Sequence, residues 1–395
     1  MGFHPNRVET AMSASTTTEP ATPEKIPFLV HFAGLPDPRQ SAKVMYPLEE
    51  IVLLVVCAKI AGADDLVEVR EWGLQHLDFL RGFLPFRDDI PSHDTLTDVM
   101  NAVDPALFEQ CFCDWVADLR EDGPDIVAVD GKTSRRTHDR ATGRKPLHLV
   151  SAFATRQRLV LGQQATEEKS NEITAIPLLL DRLMLKGSIV TIDAMGTQVE
   201  IAEKIIEKEA DYCLALKENW PLLHGEVEGF FADPESTGVT TCEEVEKDHG
   251  RLEIRRASVT SDIDWLFSDR RHPGELKFPG LKMIGMVESE TTRGGVVVPE
   301  RRYYLCSKVM PVGVFAKVVR AHWGIENRLH WSLDVTFGED QCRLRNGHGP
   351  QNMAIFRHIV MNLMRTTRTK SSLKVRRKKA GWNKGYLGDI LNGVG

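Results

Sequence analysis

The sequence predicts an α/β fold: a mixed sheet covered by helices, carrying a β-rich insertion and preceded by a helical N-terminal domain. Three observations carry this expectation. Helical periodicity gives way to short β-branched runs after Gly123-Pro124. Beyond that point the order reads strand, strand, strand, helix, strand, helix, strand, the pattern of a sheet with helices on its faces. Two of the strands, Val-Ala-Val-Asp130 and Val-Thr-Ile-Asp193, end in aspartate.

The 395 residues suffice for two or three structural units. Cysteines 57, 111, 113, 213, 242, 306 and 342 are scattered, odd in number and without paired zinc-site spacing, so reduced thiols in a cytosol are expected. The longest apolar run, Ile51 to Ala63, is broken by Lys59 and is too short to span a bilayer. No continuous apolar signal-peptide core opens the chain, so no membrane partner is expected. A net charge of −6 argues against a polyanion partner for the chain as a whole. The charge is segregated, however: from Arg320 to Gly395 there are 14 Lys/Arg against 5 Asp/Glu, including the run Arg376-Arg377-Lys378-Lys379. That end reads either as a nucleic-acid contact or as a solvated tail.

Taken in order, residues 1–24 read as a disordered leader and 25–122 as the helical domain. Tyr46 to Ile60 is strongly apolar, Leu66 to Phe79 is amphipathic, and Ser92 and Asp104-Pro105 offer caps for the next two helices. Two roles are open for this domain, DNA binding through a helix-turn-helix or packing on the α/β region. Residues 123–219 hold strands Ile126–Asp130, Leu147–Ala154 and Arg158–Ala165, then a helix capped by Ser170 or Asn171, a strand Ser188–Asp193, a helix from Thr197 to Lys208 and a strand Tyr212–Leu216. Residues 220–312 read as the β-rich insertion, with a hairpin across Arg293-Gly294-Gly295. Residues 313–368 return to helix, and 369–395 form a basic C-terminal tail. Glu326, His330 and Asp334 recur every four residues and so share one helix face.

Asp130 alone reads as an ordinary strand-to-turn residue before it reads as a site. A right-handed crossover that lays the fourth strand parallel to the first would bring Asp130 and Asp193 to one sheet edge. Like charges so placed need a cation or a proton, and a pair of Mg²⁺ ions fits carboxylate and phosphate oxygens.

Several blocks sharpen this reading: Pro91-Ser-His-Asp-Thr95, Val129-Asp-Gly-Lys132, Glu168-Lys-Ser-Asn-Glu-Ile173, Ile192-Asp-Ala-Met-Gly-Thr-Gln198, Leu216-Lys-Glu-Asn219, His249-Gly-Arg251 and His322-Trp-Gly-Ile-Glu-Asn327. In this order they resemble the H-repeat-associated (ISAs-type) insertion-sequence transposases, a bacterial DDE group with an RNase H-like catalytic domain, over roughly residues 28 to 368. The resemblance implies Asp130, Asp193 and Glu326 as catalytic, metal-holding acids, with Asp334 as the rival for the third place. It implies two Mg²⁺ ions, with Mn²⁺ able to substitute, and double-stranded DNA as partner. It also implies a homodimer on that DNA and a cytoplasmic, nucleoid-associated bacterial enzyme. Lys132, Lys217, Arg251 and Arg320 are the phosphate contacts it suggests. His322 and His330 read as neighbours of the glutamate rather than ligands, and Trp323 and Trp331 as packing residues. Broader relatives carry a Tyr, Arg, Glu, Lys signature around the third acid; here its steps fall on Val319, His322, Glu326 and Leu333. The activity implied is strand cleavage at element ends and joining to target DNA. A nuclease without joining and an inactive, repurposed DNA-binding protein are the alternatives.

Overall fold

The computed structural model describes residues 26–393 apart from 140–142, 167–171, 249–250, 268–277, 294–295 and 368. The expected leader over 1–24, the caps at Ser170 and Asn171, and His249-Gly250 therefore lie outside the described residues.

Helices come first: α1 (Pro27–Phe32), α2 (Leu48–Ala61), α3 (Leu66–Gln75), α4 (Leu77–Arg81), α5 (His93–Ala102) and α6 (Pro105–Leu119). Ser92 and Asp104 cap α5 and α6 as their context predicts, accepting the backbone N–H groups of Thr95 at 3.1 Å and Ala106 at 2.8 Å. Every residue of α2 from Glu50 to Ile60 is buried, so this helix has no polar face and serves as a central core element. Gly62 ends it at φ +117°, a backbone conformation that side-chain-bearing residues rarely adopt.

Next along the chain are β1 (Ile126–Ser134), β2 (Leu147–Ala154), β3 (Leu159–Thr166), α7 (Glu172–Arg182), β4 (Ile189–Ile192), α8 (Val199–Glu207), β5 (Asp211–Leu216) and α9 (Pro221–Ala232). The third strand starts one residue later than expected because Arg158 turns the hairpin at φ +61°. Four further strands, β6 (Thr240–Asp248), β7 (Arg251–Thr260), β8 (Met283–Arg293) and β9 (Val296–Cys306), precede α10 (Val312–His322). The chain closes with α11 (Trp331–Val335), α12 (Gly349–Thr366), α13 (Leu373–Trp382) and α14 (Lys384–Leu391).

The strands form one nine-stranded mixed sheet in the order β3-β2-β1-β4-β5-β9-β8-β7-β6. β1, β4 and β5 run parallel, while the hairpin at one end and the insertion strands at the other are antiparallel. The β-rich insertion thus extends the same sheet through β9, and it opens with a helix, α9, that the periodicity hid behind Gly225 and Gly229. α10 packs on the insertion strands through Phe315, whose ring lies so close to Gly285 that its Cε1 would stand 2.9 Å from any added Cβ. β3, at the sheet edge, is capped by a side chain: the Asn362 amide of α12 pairs with both Val160 N–H and C=O, at 2.9 and 2.8 Å.

Two expectations are corrected. The stretch from Phe315 to Val335 is not one helix: a π-helical turn, Ile325–His330, separates α10 from α11. The basic end is no solvated tail, because α13 and α14 pack against α2 and α12. Arg377 points inward from α13, donating to Lys59 O at 3.2 Å, to Thr336 O and to the Asp64 carboxylate at 3.0 Å. Among the described residues no helix is long and apolar enough to cross a membrane.

Candidate active site

β1 is buried from Val127 to Val129 and becomes half-buried at Asp130, the fifth of its nine residues. β4 lies parallel beside it, with Val129 opposite Ile192, so Asp130 and Asp193 are the next residues at one sheet edge. In parallel strands, aligned residues project to the same face. The Asp193 carboxylate closes the turn after β4 by accepting the N–H groups of Met195 at 3.1 Å and Gly196 at 3.2 Å. Asn219 donates to Ala194 O at 2.6 Å and the Trp220 indole to Thr197 O at 2.7 Å, so the blocks 192–198 and 216–219 form one braced loop system.

Glu326 reaches this edge from the π-helical turn and is exposed. Such wide turns cluster at functional sites because they rephase side chains within a helix. Here the rephasing splits the expected common face: His330 Nδ1 stands 3.7 Å from Asp130, while Asp334 turns to Lys132 at 2.7 Å. Burial, then the nearby charges of Asp193, Glu326 and Glu172, push the Asp130 carboxyl up to about 7. Among the described residues neither Asp193 nor Glu326 is ion-paired, and no three His, Cys, Asp or Glu side chains already form a metal-holding group. Burial, and next Lys132, push His330 down to about 4, so its contact with Asp130 is that of a neutral ring.

Residues 121–363, more than half of the chain, match the family described as Transposase DDE domain, and residues 29–116 match DDE_Tnp_1-associated. The chain belongs to the DDE transposases. It is 38% identical to "H repeat-associated putative transposase YhhI" of Escherichia coli (strain K12) over 92% of this chain and 97% of that one. "Putative transposase YncI" of Escherichia coli O157:H7 is 38% identical over 92% of this chain and 94% of its own. An uncharacterized protein in the dhlA 3' region of Xanthobacter autotrophicus is 42% identical over 70% of this chain and 92% of its own.

The four cations expected to meet phosphate are placed differently in this transposase. Lys217 is exposed just past β5, at the same sheet edge as the acids. Lys132 is turned inward, 2.7 Å from Asp334, 2.9 Å from Glu339 and 3.7 Å from Asp340. Burial opposes the charge on Lys132, but the Glu339 and Asp334 carboxylates outweigh it and raise its pKa. Arg320 is paired with Glu246 at 2.6 Å, on the wall of a cavity of about 840 Å³ between α10 and the insertion strands. Arg251 opens β7, and its side chain lies outside the described residues.

The departures around the third acid have local causes. Val319 and Leu333 are buried apolar residues, and His322 Nδ1 sits 3.0 Å from the Thr191 hydroxyl, its pKa lowered by burial. Glu172 and His148, buried and 2.7 Å apart behind β1, had no assigned role in the sequence; the only signal was the place of Glu172 in the block 168–173.

The raised Asp130 pKa has a measurable consequence in the metal-free transposase. An acid whose folded pKa, about 7, exceeds its unfolded value stabilises the fold fully below about pH 4, and that contribution is lost as pH rises toward 7. The depressed His330 acts in the opposite sense, losing stability as pH falls from about 6.5 toward 4. Comparing wild type with Asp130→Asn isolates the carboxyl. Urea unfolding should show Asp130→Asn gaining relative stability from pH 5 to pH 8, and a pH-independent difference would contradict the shift.

Proposed function

We propose that this transposase binds the terminal inverted repeats of its own insertion sequence, cuts DNA at the element ends and joins the 3′-hydroxyl to target DNA. One observation carries the reading: carboxylates from β1, the β4 turn and the π-helical turn gather at one sheet edge, where Asp193 and Glu326 have no ion-paired cation among the described residues. An all-oxygen donor set under mutual repulsion suits divalent ions of the Mg²⁺ type, with Mn²⁺ able to substitute. Asp130, Asp193 and Glu326 would hold two such ions, which supply charge neutralisation at the attacking and leaving oxygens of an in-line phosphoryl displacement.

The remaining residues act around that centre. Lys217 is free to meet a phosphate at the same edge, and Arg320 can do so on exchanging Glu246 for DNA. Neutral His330 stands beside Asp130, 3.7 Å away, without adding charge. Lys132 is reserved for Asp334 and Glu339. Cutting two ends in one complex favours a two-fold dimer, acting in the cytoplasm at the nucleoid.

Pre-cut element ends with a free 3′-hydroxyl, mixed with an acceptor plasmid and Mg²⁺, test the joining step. Joined products are expected. Plasmid cleavage without joining would assign a nuclease, and end binding without Mg²⁺- or Mn²⁺-dependent cleavage would assign a repurposed DNA-binding protein.

A further inference from the structure

Behind the acid edge, on the opposite face of β1 from Asp130, lies a buried polar chain that the proposed chemistry does not use. His148 in β2 and Glu172 at the start of α7 are both buried, and His148 Nε2 donates to Glu172 Oε1 at 2.7 Å. The other ring nitrogen, Nδ1, stands 2.7 Å from the Thr133 hydroxyl in β1. Thr133 and His148 are paired across the β1–β2 ladder. The hydrogen bond between the ring and the carboxylate passes directly over Gly131: a Cβ there would stand 2.6 Å from His148 Nε2 and 2.7 Å from Glu172 Cδ. Gly131 is therefore needed for close approach, and the pair rests on the backbone of the residue next to Asp130.

The placement answers a physical need. Asp130 sits where the fully buried run of β1 gives way to half-buried residues, and Asp193 and Glu326 repel its carboxylate. Without restraint, the stretch of β1 that carries this repulsion would shift against its neighbours. A buried histidine gripped on both ring nitrogens, with its carboxylate partner on a helix, ties β1, β2 and α7 together at that point. Groups hydrogen-bonded to metal-holding residues fix their orientation directly; here the restraint would act through the β1 backbone at Gly131.

We propose that Thr133, His148 and Glu172 are positioning residues for Asp130, holding β1 at Gly131 so that the acid stays directed at a divalent cation shared with Asp193 and Glu326. The inference rests on the reading of Asp130 as a metal-holding acid.

Mn²⁺ titration of the metal-free, DNA-free full chain, read by the loss of the free-ion electron paramagnetic resonance signal, tests it. His148→Leu and Glu172→Ala should weaken Mn²⁺ binding roughly 10- to 100-fold, the range for lost outer partners. His148→Gln keeps an amide N–H toward Glu172 and should recover most of the affinity. Metal-free binding of element ends should be unchanged in all three. Wild-type Mn²⁺ affinity in folded His148→Leu and Glu172→Ala, or equal loss in His148→Gln and His148→Leu, would overturn the proposal. Should the leucine variant not fold, Gly131→Ala carries the test, since it wedges a methyl into the pair while removing no polar group. Wild-type affinity in that variant would overturn the proposal. Asp130→Asn separates the two claims: if it keeps wild-type Mn²⁺ binding, the metal site itself is misassigned; if it alone loses binding, only the positioning role fails.

Discussion

Asp130→Asn, Asp193→Asn and Glu326→Gln are each expected to lower DNA strand cleavage by roughly a thousand-fold or more, since on the proposed reading each acid helps to hold the ions that would neutralise charge at the reacting phosphate. The substitutions are near-isosteric, so the fold has no reason to fail. Asp193 keeps its structural duty in the asparagine variant, whose side-chain oxygen can still accept from Met195 and Gly196. Asp130→Asn relieves a buried carboxyl of repulsion from Asp193, Glu326 and Glu172 and should fold at least as well as wild type. Electrophoretic shift of labelled element ends should therefore show binding retained while cleavage disappears. Glu326 carries the sharpest form of the prediction because Asp334, its rival, is already committed to Lys132 at 2.7 Å. Full activity in Glu326→Gln together with its loss in Asp334→Asn would reverse that assignment.

Lys132→Met is expected to destabilise the protein by about 3 kcal/mol, the low end for removing one partner of a buried ion pair. The Lys132 side chain is 12% exposed and Glu339 only 2% exposed, so the glutamate would be left in the interior with Arg357, 3.8 Å away, as a poor remaining partner. Asp334 is 39% exposed and adds little after solvent screening. Urea unfolding should show a lower midpoint at an unchanged slope. Lys217→Ala is the contrasting case: its stability should stay within about 0.5 kcal/mol of wild type, while end binding loses about one unit of salt dependence. Wild-type stability with weakened end binding in Lys132→Met would place that amine on phosphate instead.

These two lysines mark where the sequence could be read and where it could not. Val-Ala-Val-Asp130 and Val-Thr-Ile-Asp193 announce strands that lead into acids because burial and β-branching are local properties, although β1 does not end at Asp130 as expected but runs on to Ser134 through its pairing with β2. The partner of Lys132 is not local: Glu339 arrives from beyond the insertion, and nothing in the neighbourhood of Lys132 distinguishes a buried amine from a solvated one. Arg377 was obscured in the same way, since a run of four basic residues looks like a solvated face until the carbonyls of Lys59 and Thr336 supply acceptors for one of them. The four-residue spacing of Glu326, His330 and Asp334 was legible, but the π-helical turn that sends them to different partners leaves no trace in that spacing. Glu172 was visible as part of a block, and its role required the three-dimensional approach of His148 to Gly131.

The proposed chemistry stands or falls on Asp130, Asp193 and Glu326 forming one divalent-metal centre. Fe²⁺ loaded in place of Mg²⁺, with ascorbate and peroxide, generates hydroxyl radicals that cut the polypeptide next to the bound ion. Backbone cuts are expected near residues 130, 193 and 326 together in the wild-type chain, all lost in Asp130→Asn. Cuts clustered around other carboxylates, such as Asp334, Glu339 and Asp340, or a pattern unchanged in Asp130→Asn, would contradict a shared metal centre.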